Sequence, residues 1–311
     1  MLATLRNQAL AADLEAKLLE FKADNKPLPG IANDDNRIAY VEQLVESIRR
    51  VDFVTTIGRR GICPQRRDPK SDLFDPLRAA TLYRQQENLD EAFWLAFLFV
   101  HFGKSLRTRW NLIRAIYGAW NDQFIWTWEQ FNSAPNIFTI WFNDRLPELL
   151  ENRKQLQFGN HRKYESIEKV DVVLESYAEW VGPERSHAAM LERATAAVGD
   201  NPRALFGYLY KSMKVVHRFG RTAKFDYLTM VAKLGLASLR APSAYMVGAT
   251  GPLSGARLLF AGTTEAMHIS CAQADQLLVV LDNHLNVGMQ VLEDSLCNWQ
   301  KSPNKFVAFR G

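Results

Sequence analysis

The chain has 311 residues, 47% hydrophobic and 11% aromatic, enough to bury a substantial core and to exclude a disordered polymer. Its formal net charge of +4 says little globally, but the basic residues cluster, which directs attention to polyanionic partners. Three cysteines (Cys63, Cys271, Cys297) without paired spacing and six dispersed histidines give neither a disulfide framework nor a zinc motif, so no metal is expected and a reducing cytoplasm is the expected compartment.

Helical periodicity runs through nearly the whole chain and no alternating strand pattern appears, so the expected fold is all-α. Charges interrupt the amino-terminal segment throughout, which excludes a secretory apolar region and predicts an amphipathic helix from Leu5 to Phe21. The turn Lys26-Pro27-Leu28-Pro29-Gly30 ends it, and a second helix covers Asn36 to Arg49. The pairs Arg49-Arg50, Arg59-Arg60 and Arg66-Arg67 flank Gly58, Gly61 and Pro64 on an exposed loop that either touches phosphate or keeps the surface soluble. Asp75 and Pro76 read as the cap and first position of a helix. The next helix, Asp90 to Phe102, is apolar on nearly every side and is expected at the centre of the core, with Gly103 ending it. Its apolar run is too short to span a bilayer, and His101 within it reads as a core histidine. Tryptophans 110, 120, 126, 128 and 141 follow at irregular helical spacing and read as core. The segment Phe158 to Tyr164 (FGNHRKY) breaks the periodicity and gathers Asn160, His161, Arg162 and Lys163 on one loop, either a plain connection or part of a site.

The most informative stretch is Arg203 to Arg240, with eight Lys or Arg against one acid, Asp226. Apolar residues recur at helical spacing before a break at His217-Arg218-Phe219-Gly220-Arg221-Thr222 and again after it, predicting two amphipathic helices joined by a glycine turn. Gly220 is expected to take a positive φ as a helix C-cap and Thr222 to cap the next helix, whose first N–H groups then face outward beside Arg221 and Lys224. Such a hairpin suits a phosphate backbone gripped without reading sequence; the alternative is a solvated basic face. Beyond it, Ser243 to Phe260 is glycine-rich but is no nucleotide-binding P-loop, because no Lys-Ser or Lys-Thr follows its last glycine. A final helix from Ala274 to Gln300 carries Glu293 and Asp294, with Lys301 at its end. The expected organisation is one functional unit, 1–311, with approximate lobes 1–60 plus 262–311 and 70–240, the latter holding the hairpin 203–236.

Together, SDLFDPLRAA (71–80), DEAFWLAFLFVHFGK (90–104), FGNHRKY (158–164), FGRTAKFDYLTMVAKLGL (219–236), GATGPLSGARLLF (248–260) and VGMQVLEDSLCNWQKSPNKF (287–306) resemble the third clade of the α-glutamyl/putrescinyl-thymine pyrophosphorylase family. The resemblance covers almost the whole chain. It implies a helix-hairpin-helix DNA-glycosylase-like fold with two helical lobes around a cleft, in a protein related to enzymes that act on hypermodified pyrimidines in DNA. Some relatives displace pyrophosphate from 5-(pyrophosphoryloxymethyl)uracil with an amine; others resemble defence glycosylases that excise a modified base from phage DNA. The match to the better-understood clades lies in the carboxyl-terminal third: Phe225-Asp226-Tyr227-Leu228 after the hairpin, a Gly-Pro loop at Gly251, Pro252 and Gly255, and an acid-to-lysine segment at Glu293 or Asp294, Leu296, Cys297, Trp299 and Lys301.

Chemistry on a base requires everting its nucleotide, which costs a few kcal/mol and calls for a pocket and a phosphate grip. Arg162, Lys163, Arg218, Gly220, Arg221, Thr222, Lys224, Gly251, Gly255 and Arg257 are the candidate DNA contacts, and Phe225, Tyr227, Tyr245, Trp299 and His161 the candidate pocket walls. Excision passes through a positively charged sugar that a carboxylate stabilises, with Asp226, Glu293 and Asp294 as candidates. Asp226, alone among eight bases, is favoured, and the cations are expected to keep it ionised; otherwise it complements its helix dipole. Lys301 either attacks the sugar as an amine, if burial lowers its pKa, or caps its helix. Cys297 reads as a buried small residue. The leading expectation is a cofactor-free glycosylase acting on a 5-substituted pyrimidine in DNA. The alternatives are an amine transferase on the same fold, with His161, Arg162 and Lys163 receiving pyrophosphate, and a non-catalytic reader of modified DNA.

Overall fold

A computed structural model describes residues 5–308 with the exception of Asn25, Asn121 and Lys163. Among the described residues it is all-α: fourteen α-helices, short 3-10 turns and a single isolated bridge between Ser105 and Arg109. No helix among them is long and apolar enough to cross a membrane. The helices are α1 (Leu5–Asp24), α2 (Asp34–Ile57), α3 (Pro76–Gln85), α4 (Leu89–Phe102), α5 (Asn111–Tyr117), α6 (Trp128–Phe131) and α7 (Ile137–Glu151). They continue with α8 (Val170–Val181), α9 (His187–Val198), α10 (Pro202–Ser212), α11 (Arg221–Lys233), α12 (Gly251–Ala261), α13 (Cys271–Leu285) and α14 (Met289–Trp299). The chain divides into two compact units, one of residues 1–53 with 241–310 and one of 54–240.

In the 54–240 unit the core is built on α4, where Phe93, Trp94, Leu95, Phe97 and Leu98 are at most 1% exposed. Asn88 caps the helix through a side-chain bond to the Glu91 amide, and Gly103 ends it at a positive φ of 64°. Helix α3 packs along α4 and starts as the sequence indicates, with Asp75 accepting from the Arg78 amide and Pro76 next. Trp110, Trp126 and Trp128 are buried, and Trp120 and Trp141 half-buried.

Two acids at the start of α4 organise this core. Glu91 is 2% exposed and accepts from the Tyr117 hydroxyl at 2.6 Å and the Trp128 amide at 2.6 Å, tying α4 to the chain on either side of residues 118–127. Asp90 accepts from the backbone N–H and ring Nδ1 of His187, both at 2.7 Å. The His187 Nε2 lies 2.7 Å from the Tyr177 hydroxyl, which lies 2.7 Å from that of Tyr227, so a buried hydrogen-bond chain links α4, α9, α8 and α11. Nothing in the local sequence marks it, because its members are up to 137 positions apart.

In the other unit, α12 packs on α14, α13 and the 3-10 turn Pro29–Ile31, and α1 packs on α13. The expected single terminal helix is two. Asn286 takes a left-handed φ of 53° and Gly288 a φ of 90°, and the Asp282 carboxylate accepts the Gly288 amide at 2.6 Å, closing α13 before α14 begins. The segment expected as a Gly-Pro loop is helical, and its glycines serve packing. A Cβ on Gly255 would lie 2.3 Å from the Leu296 carbonyl oxygen, and one on Gly251 would lie 2.7 Å from the Cys297 Sγ. Helix propensity favours Ala over Gly by about 1 kcal/mol, but overpacking against backbone costs about 1–3 kcal/mol or more, so the clash decides the sign. Gly255→Ala is therefore expected to lower the thermal midpoint, and a midpoint equal to or above that of the parent would show that α12 and α14 separate without cost.

Candidate functional site

The basic hairpin forms as α10, a 3-10 turn at Met213–Val215, an irregular bend and α11. The bend lies at the surface: His217, Arg218, Gly220 and Thr222 are exposed, while Phe219 is 4% exposed and anchors it against Phe97 of α4 at a ring separation of 5.0 Å. Lys211 and Lys214 are exposed and make no ion pair among the described residues. Two local expectations need correction. Gly220 has an extended backbone at φ −71° and is itself the N-cap of α11, while the left-handed φ falls on Arg218 at 54°. Thr222 lies within the first turn of α11 and caps nothing. The bend is sewn down just before the glycine, which sets this register: the His217 amide donates to Ser176 Oγ at 2.9 Å, and Arg218 donates to Glu165 Oε2 at 2.7 Å and to the Tyr164 carbonyl at 2.6 Å. Because Gly220 carries no side chain, α11 opens without a side-chain cap, the arrangement that suits an anion at a helix start.

The FGNHRKY loop seats on the end of α4. The Gly159 amide donates to the Phe102 carbonyl at 2.8 Å, and a Cβ on Gly159 would lie 2.8 Å from backbone atoms of Gly103 and Lys104, so glycine alone allows the approach. Arg162, expected at the surface as a DNA contact, is 3% exposed. It donates through Nε to the Val100 carbonyl at 2.9 Å and through Nη1 to the Tyr164 hydroxyl at 2.8 Å, and its guanidinium lies over the Phe219 ring at 5.4 Å. A cation at that end of α4 complements the helix dipole, which is why burial is tolerated. His161 is exposed, and Lys163 lies outside the described residues.

Behind loop and bend lies a cluster of buried polar groups. His101 is 2% exposed with no partner for Nε2 among the described residues; burial pushes its pKa down to about 3, helped by Arg162 and Arg218, so it is neutral. The expected satisfied core histidine is thus buried but unsatisfied at that nitrogen. Arg162 Nη2 and Glu165 Oε1 are also buried without partners among the described residues. Burial raises the pKa of half-buried Asp226, while Arg162, Lys233, His161 and Arg221 pull it down. The cations were expected to dominate; desolvation outweighs them, leaving a carboxyl that no hydrogen bond reaches among the described residues. Arg221 lies over Phe225 at 5.3 Å and Lys224 over Tyr210 at 4.5 Å, and burial lowers the Lys224 pKa.

The same side of the unit opens into a cleft of about 690 Å³. Arg107, Arg153, Phe158, Asn160, Glu165 and Glu168 are among its lining residues. Sequence reasoning did not single out Glu165, although an acid directly after a basic loop was there to be noticed. The candidate walls Phe225 and Tyr227 are 1% and 0% exposed; Tyr227 packs edge-on to Phe97 and Tyr177 in the core.

The remaining candidates belong to the other unit. Asp294 accepts from Ser47 Oγ at 2.6 Å, from the Arg50 guanidinium and from Asn298 Nδ2 at 3.2 Å, so its carboxylate ties α14 to α2. Glu293 and Tyr245 are half-buried. Trp299 is fully buried against Tyr40 at 4.8 Å and donates to the Pro303 carbonyl. Lys301 is exposed and donates to Asn298 Oδ1 at 3.1 Å, which removes the burial that a nucleophilic role requires. Arg257 donates to the Ile269 carbonyl at 3.1 Å.

Residues 35–311 match the family described as alpha-glutamyl/putrescinyl thymine pyrophosphorylase clade 3, while comparison with curated proteins and with solved structures found no match. That match takes in all of the 54–240 unit and most of the other, including the hairpin, the FGNHRKY loop and α14. The chain therefore belongs to the alpha-glutamyl/putrescinyl thymine pyrophosphorylase family, clade 3, named for chemistry on modified thymine.

Proposed function

We propose that the protein binds DNA through the hairpin at 203–236, everts a 5-substituted pyrimidine and hydrolyses its N-glycosidic bond, with helix-hairpin-helix glycosylase-like architecture. The observation that carries this reading is Asp226, a desolvated carboxyl without a hydrogen bond among the described residues, in the field of Arg162, Lys233, His161 and Arg221 and in the second turn of a helix whose exposed start is basic. As the base departs with the bonding electrons, positive charge builds at C1′. As the carboxylate, Asp226 stabilises that charge and then takes a proton from the water that adds there. Partly shielded from water, a carboxylate acts on such a charge more strongly than in solvent. Anti-phage defence is the role that such an excision would serve. A second reading follows from the family's description: an amine attacks the 5-methylene carbon and pyrophosphate leaves, with the glycosidic bond intact.

Incubation with oligonucleotides bearing thymine, 5-hydroxymethyluracil, 5-hydroxymethylcytosine or its glucosylated form, and with one bearing 5-(pyrophosphoryloxymethyl)uracil in the presence of an amine, separates the two. Free base with an alkali-labile gap marks excision; a mass change on an intact strand marks transfer and overturns the excision reading. The grip is tested separately. Binding should weaken linearly with log salt, and Lys211→Ala/Lys214→Ala should reduce the magnitude of that slope by about 2, since each lost phosphate contact removes about 0.9. An unchanged slope would remove the hairpin from the interface.

A further inference from the structure

We propose that the cleft lined by Arg107, Arg153, Phe158, Asn160 and Glu165 is the receiving pocket for a nucleotide, taking the Watson–Crick edge of its base on Glu165 and its phosphate on the two arginines. The assignment rests on the DNA reading above and deepens it by naming where the base and phosphate of the everted unit go; Asp226 is not among the residues that line this cleft. It moves the pocket away from Phe225, Tyr227 and Trp299, which are at most 1% exposed and pack in the cores of their own units.

Three features converge. The first is Glu165, whose side chain is 1% exposed. Arg218 holds its Oε2, while Oε1 accepts no hydrogen bond among the described residues. A buried carboxylate oxygen accepts and cannot donate, and leaving it unpaired costs on the order of 1–3 kcal/mol, so the group that completes it must bring an N–H or O–H. A pyrimidine supplies one on its Watson–Crick edge, as the exocyclic amine of cytosine or the imide N–H of uracil and thymine. The second is charge. Arg107 and Arg153 are exposed and make no ion pair among the described residues, so two guanidinium groups remain available to a phosphate. Glu168 also lines the cleft. The third is shape. The volume of about 690 Å³ lies within the range of small-molecule sites, and Phe158, Leu106, Leu156 and Ile167 give a flat ring apolar surface. Arg218 joins the pocket to the grip, since it belongs to the exposed bend and fixes the Glu165 carboxylate.

The test uses the 311-residue chain and thymidine 5′-monophosphate, with thymidine, inorganic phosphate and L-glutamate as comparison probes, followed by calorimetry. Saturable binding of the monophosphate is expected, with thymidine and phosphate each at least about tenfold weaker. Arg107→Ala/Arg153→Ala should lose at least about tenfold in affinity for the monophosphate and little for thymidine, with an unchanged thermal midpoint because both side chains are exposed. Glu165→Gln should weaken both thymidine and its monophosphate, since the amide that replaces one oxygen brings a donor where an acceptor is needed. If Glu165→Gln fails to fold, the arginine variant still decides. Failure of the monophosphate to bind, equal binding by the arginine variant, or saturation by L-glutamate in its place overturns the assignment. The two readings fail separately. Should the parent and both variants process modified oligonucleotides equally, the pocket falls and the DNA reading stands. Should the parent leave every oligonucleotide unaltered while the arginine pair still governs monophosphate binding, the pocket stands and the DNA reading falls.

Discussion

Replacing Asp226 by Asn is expected to lower turnover on a modified oligonucleotide by about 10²- to 10³-fold, the usual cost of deleting one preorganised electrostatic stabiliser. DNA affinity should stay within about twofold or rise slightly, because the substitution removes a negative charge beside Arg162, Lys233 and Arg221. Asparagine keeps the shape, and with no hydrogen bond to the carboxylate among the described residues the fold loses little. A thermal midpoint equal to or above that of the parent is expected, since burial penalises the charge that the substitution removes. This combination separates an enzyme from a reader of modified DNA, which would lose neither property. Loss of binding and stability together would make Asp226 a structural residue that complements the start of α11.

The second large effect concerns Glu91. Burial pushes its pKa up to about 7, against the Tyr117 and Trp128 hydrogen bonds that lower it. The ordinary value is 4.5, so between about pH 4.5 and 7 the folded protein holds a proton that the unfolded chain has released. The sign follows: this group's contribution is fully present below pH 4.5 and is lost as pH rises through about 7, by roughly 3 kcal/mol in all. Glu91→Gln keeps a carbonyl for the Trp128 amide and an amide N–H for the Tyr117 oxygen. The stability of Glu91→Gln relative to the parent should therefore climb across that window, measured as denaturant midpoints at matched pH. Glu91→Ala leaves Tyr117 and Trp128 without their buried acceptor and opens a cavity, and should cost about 3–5 kcal/mol at pH 5. A pH-independent difference between parent and Glu91→Gln would place the carboxylate in contact with water.

Where a fold feature depended on neighbours in sequence, it was legible. The apolar run of α4, the Asp75-Pro76 start and the two basic helices around 217–220 all follow from short-range pattern. The break at Asn286 and Gly288 was also written locally, but apolar periodicity resumes at Met289 and masks it. At the bend, the glycine drew the positive φ by propensity, whereas contacts to Ser176, Tyr164 and Glu165 place it on Arg218, from 41 to 54 positions away. Gly251 and Gly255 read as loop residues because glycine is rare within helices; the α14 atoms that crowd them, the Cys297 sulfur and the Leu296 carbonyl, are more than forty positions away.

The site divides in the same way. The lone acid among bases was visible, as was the polar character of FGNHRKY. What sequence could not supply was burial: Arg162 looks like a surface cation until Val100 and Phe219 are found around it, and Glu165 looks unremarkable until one oxygen proves to lack a partner. Partial burial likewise reversed the balance at Asp226, where counting charges in the chain weighs the cations and omits desolvation.

The most direct measurement is the intact mass of a 5-hydroxymethyluracil oligonucleotide, and of the same panel of modified strands, after parallel incubation with the parent protein and Asp226→Asn. The account predicts base loss from at least one modified strand with the parent, none from the unmodified strand, and little or none with the variant. A panel left intact by the parent, or base loss that proceeds equally with Asp226→Asn, would contradict it.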